Sequence, residues 1–208
     1  MRLVGVVTLG VARLGTPAEL RQPTGMKAFL DFEASSLSKN SYPIEVAWVF
    51  QNVRSEHHLI APAPSWDDWD DASEAIHGIT RSTLEAKGTS HDEVASRMVE
   101  ALTGHDLFAS APSWDGKWLS VLLRGAGLPR HALRLRDTDE ALRESAAEIL
   151  RPALTAASLD VAVHEIVVKA SSVRNAEPAH RALADAIDEY ETWLRVRQAA
   201  RALVMGLA

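Results

Sequence analysis

The sequence predicts one α/β domain in which a mixed sheet of about five strands is flanked by helices. Three apolar runs of strand length follow one another early in the chain, at residues 27–32, 44–50 and 57–61. Helices and strands then alternate, and helical patterns dominate from residue 139 onward. With 208 residues, 47% of them hydrophobic, the chain can build one sizeable core.

The middle of the chain carries the alternating elements. Residues 72–87 predict short helical turns, and residues 90–102 place apolar side chains on one face of a helix. Residues 106–111 predict a fourth strand, residues 114–125 a helix, and residues 133–136 a short fifth strand.

The two ends of the chain differ in character. Residues 1–25 combine a short apolar stretch with a loop-like segment, so we expect a poorly ordered extension before a domain at 26–208. Near the other end, Pro152 and Pro178 predict breaks between helices. The last helix is expected from about Ala179 to beyond Arg195.

Composition excludes several classes of protein. The chain has no cysteine, which excludes disulfides, thiolate metal sites and cysteine nucleophiles and suits a reducing, cytoplasmic compartment. No apolar run reaches the roughly 18 residues that span a membrane, so no membrane partner is expected. The formal charge of −6 provides no global basic field for nucleic acid, although a carboxylate cluster that holds cations would itself contribute negative charge.

The first candidate site is the pair Asp31 and Glu33. Residues two apart on a strand point to the same face, and Phe32 between them points to the other. Two neighbouring carboxylates repel each other, and a bound cation relieves that repulsion. A strand that ends at Leu30, with both acids in solvent, is the alternative.

Two further acids stand at predicted helix starts. Asp115 lies in the first turn of a helix that follows a strand, where a carboxylate is favoured with or without a catalytic role. His180 and Asp185 lie five residues apart, which separates them by about 140° on a regular helix. They can therefore face one site only if His180 lies on the loop or first turn leading into the helix; otherwise they are a solvated helix start.

Together these residues resemble a known family. The order Asp31-x-Glu33, His77-Gly78-Ile79-Thr80, Asp115 and His180-x4-Asp185 is similar to that of the DEDDh exonucleases. That group has a ribonuclease H-like fold and includes ribonuclease T and the proofreading subunit of bacterial DNA polymerase III. The resemblance covers about residues 26–195.

The resemblance implies a role for each residue. Asp31, Glu33, Asp115 and Asp185 would hold two Mg²⁺ or Mn²⁺ ions, for which oxygen ligands are suited, and His180 would be the general base. The products would be nucleoside 5′-monophosphates from the 3′ end of single-stranded DNA, RNA or oligonucleotides.

The chain departs from the family at three positions. Ser110 stands where an Asn is common, Trp114 takes the place of a Phe, and Ala184 replaces an acid before the last Asp. None of these changes removes an implied ligand, but each bears on how a substrate is positioned.

The substrate contacts are open to two interpretations. The resemblance implies that His77, Gly78 and Ile79 contact the terminal nucleotide, whereas a helix boundary would explain the same residues. Trp66 and Trp69, on an acidic loop, are candidates for base stacking, whereas Trp114 and Trp118 are spaced like core residues.

Charged and imidazole clusters elsewhere carry weaker signals. His57 and His58 are adjacent on a strand, so they point to opposite faces and cannot be a ligand pair. The run of acids at 67–71 lacks the glycine and glutamate of a calcium loop, so a solvated loop is expected. A basic cluster is either a phosphate-binding surface or a solvated face; its members are Lys117, Arg124, Arg130, Arg134 and Arg136.

Two other functions compete with the exonuclease. A non-catalytic nucleic-acid-binding module on the same fold would be expected to lose an acidic ligand, and none is lost here. A phosphodiesterase of small nucleotides would share the site and differ in its cleft. A homodimer formed through the long last helix is also compatible with the sequence.

Overall fold

A computed structural model describes residues 25–173 and 180–207 of the chain. The predicted N-terminal extension lies outside the described residues, except for Gly25, and so does the break predicted at Pro178. The domain boundary at residue 26 therefore stays a prediction.

The strands form one mixed sheet in the order β4-β3-β2-β1-β5-β6. β1 pairs antiparallel with β2 and parallel with β5, so the first strand lies in the middle of the sheet. β2 pairs antiparallel with β3, while β4 and β6 join the edges in parallel pairings. The strands are β1 Lys27–Ala34, β2 Pro43–Phe50, β3 Ser55–Ala61, β4 Thr89–Ser90, β5 Asp106–Ala109 and β6 Leu135–Asp137.

The helices cover both faces of this sheet. They are α1 Asp71–His77, α2 Arg81–Lys87, α3 His91–Leu102, α4 Pro112–Gly125, α5 Thr138–Leu150, α6 Ala156–Ser171 and α7 Ala182–Leu207. No helix within the described ranges is long and apolar enough to cross a membrane.

The side chains of β1 alternate between two hydrophobic cores. Leu30 and Phe32 pack on one face, in the core that α3 and α4 complete. Phe29 packs on the other face, in the core formed with α5, α6 and α7. Asp31 and Glu33 share the face of Phe29, so they point toward α7.

The predicted α/β architecture is confirmed, with two differences at strand level. The sheet has six strands rather than about five, because the two-residue strand β4 pairs with β3 through Ile60 and Ala61. β1 continues to Ala34, two residues beyond the predicted run, because its acidic residues stay paired with β2. The alternative in which the strand ends at Leu30 is therefore wrong.

Candidate active site

Asp31 and Glu33 occupy the middle and the end of β1. Asp31 pairs across the sheet with Ala47, and Glu33 pairs with Glu45 of β2. Both acids are partly buried. The central strand thus presents two carboxylates to one face, as the spacing predicts.

Asp115 joins the site from the first turn of α4. Pro112 starts that helix directly after β5, which suits its fixed backbone angle and missing N–H. The Asp115 side chain is only 2% exposed, and its Oδ2 atom has no hydrogen-bond partner. A buried carboxylate oxygen without a donor is costly unless a cation occupies the space beside it.

Asp185 completes the cluster from α7. One carboxylate oxygen from each of Asp31, Glu33 and Asp185 lies within 4.8 Å of the other two. Residues from the first strand and the last helix, separated by about 150 positions in the sequence, therefore meet at one point.

The electrostatics of the cluster are those of an unneutralised acidic site. Burial, and then repulsion by Asp115 and Glu189, raise the pKa of Asp31 well above its ordinary value. Burial and repulsion by Asp185 raise the pKa of Glu33 to about 8. Burial and repulsion by Glu189 raise the pKa of Asp115 to about 7. Each shift reflects the free energy needed to ionise these groups side by side.

His180 lies just outside α7, which begins at Ala182. Its backbone φ of 50° places it in the left-handed region, a conformation that residues other than glycine rarely adopt. His180 therefore lies outside the regular helix. The separation of about 140° that a helix would impose between His180 and Asp185 does not apply. The expectation that it lies in the segment leading into the helix is confirmed.

Glu45 is a site residue that the sequence analysis missed. Its side chain is fully buried, and it accepts a 2.9 Å hydrogen bond from the backbone N–H of Ala182 at the start of α7. Arg181 donates to it at 2.6 Å, and His57 Nε2 lies 2.6 Å from it. Glu45 therefore joins β2 to the residue that follows His180.

The pKa of Glu45 shows that this network holds it ionised. Burial alone would raise the value, but hydrogen bonds from Arg181, Ala182 and His57 outweigh burial and lower it. A charged carboxylate at the first N–H groups of α7 also interacts favourably with the helix dipole. In the sequence, Glu45 is marked only by being an acid within an otherwise apolar strand.

Glu189 is a second missed acid, one helical turn after Asp185. It is 1% exposed, accepts a 3.0 Å hydrogen bond from the backbone N–H of Ser110, and accepts one of 2.5 Å from Thr138 Oγ1. It connects α7 to the end of β5 and the start of α5, next to the cluster. Only the i, i+4 spacing from Asp185 indicated that it shares that face of the helix.

The segment His77-Gly78-Ile79 lies beside the start of α7. The His77 side chain is buried, its Nδ1 accepts a hydrogen bond from the Ile79 N–H at 3.0 Å, and its Nε2 has no partner. Burial lowers the pKa of His77; the charges of Glu74 and Glu45 oppose this shift, and those of Arg181 and His180 add to it. Gly78 ends α1 with a φ of 68°, which supports the helix-boundary interpretation without excluding substrate contact.

The tryptophans divide between core and surface. Trp66 stacks on Tyr42 at 5.2 Å between ring centroids and packs against His91. Trp69 donates its indole N–H to Glu74 at 2.8 Å. Base stacking by these two stays a prediction.

The two tryptophans of α4, Trp114 and Trp118, differ in burial. Trp118 is buried and donates to Ser41 Oγ at 3.0 Å, as expected of a core residue. Trp114, in the first turn of α4, is 39% exposed, so the core expectation is wrong for it.

The remaining candidates take the structural roles that their positions suggest. His57 contacts Glu45 while His58 stacks on Trp48, so the two imidazoles do lie on opposite faces. In the acidic loop, Asp70 caps α1 and Asp68 accepts hydrogen bonds from serines at positions 35, 36 and 38. That loop is therefore held by protein donors as well as by solvent.

The donor set fits a divalent cation. The four carboxylates supply only oxygen, the ligand that Mg²⁺ and Mn²⁺ prefer. The unpartnered Oδ2 of Asp115 and the raised pKa values of Glu33 and Asp115 show that ionising these acids side by side is costly without a cation. Asp31, Glu33 and Asp185 form a group that could hold a metal ion.

The strand order and the flanking helices form a ribonuclease H-like fold, with acids on the central strand and the last helix. Solved structures of exonuclease I share this fold. The zinc-bound complex of Escherichia coli exonuclease I with single-stranded DNA matches 88% of this chain and 42% of its own, with a TM-score of 0.62 and 16% identity. A product-bound exonuclease I matches 88% of this chain and 46% of its own, with a TM-score of 0.59 and 17% identity.

Another similar structure is the exonuclease I of Methylocaldum szegediense, which matches 84% of this chain and 41% of its own. Its TM-score is 0.58 and its identity 18%. The chain thus spans less than half the length of these exonuclease I structures, and identities this low establish the fold alone. No protein-family model matches the chain, and no curated protein shows a significant match.

Proposed function

We propose that this chain is a metal-dependent 3′→5′ exonuclease of the DEDDh type that acts on single-stranded nucleic acid. The observation that carries the proposal is the convergence of Asp31, Glu33 and Asp185 within 4.8 Å, beside the buried, unpartnered oxygen of Asp115. Acids placed in this way repel one another and attract divalent cations, which can catalyse hydrolysis of a phosphodiester. The fold shared with exonuclease I supports the same reaction.

The carboxylates have the binding role. Asp31, Glu33, Asp115 and Asp185 would hold Mg²⁺ or Mn²⁺, as two ions. Divalent ions bound there would supply Lewis acidity at the scissile phosphate and its leaving oxygen. The protein's own contribution is to present four oxygen donors from β1, α4 and α7 in one place.

His180 has the proton-transfer role. Its imidazole would accept a proton from the attacking water, because a histidine can exchange protons near neutral pH. The water oxygen forms a bond to phosphorus, the bond between phosphorus and the 3′ oxygen breaks, and that oxygen takes up a proton. The products are a nucleoside 5′-monophosphate and a strand with a new 3′-hydroxyl group.

Single-stranded DNA is the first substrate to test. The exonuclease I structures include complexes with a dT13 and a dA16 oligonucleotide. In this chain the segment His77-Gly78-Ile79 would contact the terminal nucleotide. RNA and short oligonucleotides are the other substrates for comparison.

The test uses 3′-labelled and 5′-labelled DNA and RNA strands with Mg²⁺, Mn²⁺ or a chelator. We expect stepwise release of 5′-mononucleotides from the 3′ end, dependent on metal and lost in Asp31→Asn. His180→Ala is expected to lower kcat by about 10²- to 10⁴-fold, the usual contribution of a general base.

Two matched variants act as controls. Asp67→Asn and His164→Ala remove the same groups from exposed positions outside the cluster and should retain activity. Binding without hydrolysis by the wild type would instead favour a non-catalytic module. Hydrolysis restricted to small nucleotide diesters would favour the small-molecule phosphodiesterase.

A further inference from the structure

A groove of about 370 Å³ runs beside the first half of α4, between that helix and the segment leading into β6. Four residues with positive or imidazole side chains line it: Lys117, Arg130, His131 and Arg134. None of the described residues that line this basic groove is an Asp or a Glu. In a chain of formal charge −6, such a local positive surface attracts an anion.

The two arginines of the basic groove are not neutralised by the protein. Neither Arg130 nor Arg134 has a carboxylate within 4.0 Å among residues 25–173 and 180–207, and both are exposed. Arg136, on the neighbouring strand, differs because it forms ion pairs with Glu140 and Glu144. Part of the cluster identified from the sequence is thus paired with acids, whereas Arg130 and Arg134 have no acidic partner within the described ranges; Arg130 donates its Nε–H to His131 Nε2 at 2.9 Å.

Lys117 is held at the rim of the groove by groups without charge. Its Nζ donates to Ser38 O at 2.5 Å and to Ser41 Oγ at 2.8 Å, and it lies 5.1 Å from the centroid of the exposed Trp114 ring. Burial lowers the pKa of this ammonium group, while the negative charge of Asp68 opposes that shift. Lys117 thus sets a basic nitrogen beside an exposed aromatic ring. This combination suits a strand of phosphates and bases.

The basic groove and the proposed catalytic centre share the helix α4. Gly116, which lines it, directly follows Asp115 in the first turns of α4. A strand whose 3′-terminal nucleotide lies at the carboxylates must continue across the adjacent surface. The groove lies along the helix that carries Asp115, and the guanidinium groups of Arg130 and Arg134 match phosphate geometry.

We infer that the basic groove binds the phosphate backbone of the substrate strand on the 5′ side of its terminal nucleotide. The inference rests on the proposed function and deepens it, because it makes the substrate an extended strand rather than a small nucleotide. Recognition through phosphates would be independent of base sequence.

The test measures binding separately from hydrolysis. A 5′-fluorescein single-stranded oligonucleotide is titrated onto the Asp31→Asn protein, with and without Arg130→Gln and Arg134→Gln, over a range of salt concentrations. Loss of two phosphate contacts should reduce the slope of log K against log salt by about 1.4, since each contact on a single strand contributes about 0.7. We expect weaker binding at low salt and convergence with the parent at high salt.

The matched control is Arg54→Gln with Arg201→Gln, which changes the net charge equally at two exposed positions without ion pairs among the described residues. An unchanged slope in the groove variant, or the same change in the control, overturns the inference.

Kinetic measurements distinguish a failure of the inference about the basic groove from a failure of the proposed function. With the native carboxylates, the groove variant should raise KM for a long oligonucleotide and leave kcat and KM for thymidine 5′-monophosphate p-nitrophenyl ester unchanged. If the wild type hydrolyses neither substrate, the proposed function fails, whatever the binding slopes show. If the groove variant loses activity on both substrates equally, the groove is not a backbone site.

Discussion

At the residue scale, Glu45 is the acid whose role differs most from that of its neighbours. It faces Glu33 across the sheet, yet its pKa is lowered while that of Glu33 is raised to about 8. The difference arises because Glu45 has donors from Arg181, Ala182 and His57, whereas Glu33 is surrounded mainly by other acids. One acid is therefore structural, and the other is available to a cation.

Glu45→Gln should lower kcat by about 10- to 100-fold, the range typical of groups that orient the residues of a metal site. The neutral amide weakens the hydrogen bonds that hold the backbone after His180. On the proposed function, steady-state kinetics should show the loss mainly in kcat.

A double-mutant cycle separates positioning from general destabilisation. If Glu45 acts through His180, Glu45→Gln should add little to the loss already caused by His180→Ala. Glu56→Gln, a carboxylate of β3 that pairs with Arg97, is the matched control and should leave kcat unchanged. Full additivity of the two losses would contradict a positioning role.

At the element scale, the junctions between strands and helices place the chemistry. β5 leads into α4, whose first turn carries Asp115, and a left-handed residue precedes α7, which carries Asp185. The long α7 packs its buried residues against the sheet on the face of Asp31 and Glu33. Motion of α7 would therefore change the acidic cluster directly.

The junction between α2 and β4, at the β4 edge of the sheet, is closely packed around Gly88. A Cβ atom at Gly88, between α2 and β4, would lie 2.5 Å from the carbonyl oxygen of Leu84 and 2.6 Å from the nitrogen of Ala61. Because both are backbone atoms, Gly88→Ala should cost about 1–3 kcal/mol of unfolding free energy in a urea melt.

Gly116→Ala is the contrasting substitution. No atom lies within 4 Å of a Cβ built there, and the position is inside α4. Alanine should stabilise the fold by about 0.5–1 kcal/mol, because it reduces the freedom of the unfolded chain. Equal effects of the two substitutions would contradict the close approach at Gly88.

At the scale of the whole molecule, the acidic cluster links stability to pH. The pKa values of about 8 for Glu33 and about 7 for Asp115 lie above their ordinary values of 4.5 and 3.8. At pH values between the ordinary and the raised pKa of each acid, the folded chain binds more protons than the unfolded chain. The metal-free protein should therefore lose stability as pH rises from about 4 to about 8.

Thermal melts in chelator measure this dependence. The decline in Tm between acidic and mildly alkaline pH should be smaller for Glu33→Gln, which cannot ionise, than for the wild type. Added Mg²⁺ should raise the wild-type Tm more at the higher pH, because cation and protons compete for the same oxygens. Parallel pH curves for variant and wild type would contradict the assignment to Glu33.

The sequence indicated much of the candidate site. Alternation along β1 predicted that Asp31 and Glu33 share a face, because strand geometry is local. Helix geometry likewise required His180 to lie outside the regular part of α7, where it is found. Glu45 and Glu189 were missed because their importance depends on donors far away in the chain, Arg181 and Ser110.

What the sequence determined by itself is therefore the class of fold, the periodic elements and the residue types that suit a metal site. These follow from local geometry and composition. The tertiary structure decided which acids accept hydrogen bonds from protein donors, which are left to a cation, and which arginines have no acidic partner among the described residues. The reason is that hydrogen bonding, desolvation and charge repulsion depend on distances between side chains, and those distances exist only after the sheet has brought residues 31, 115 and 185 together.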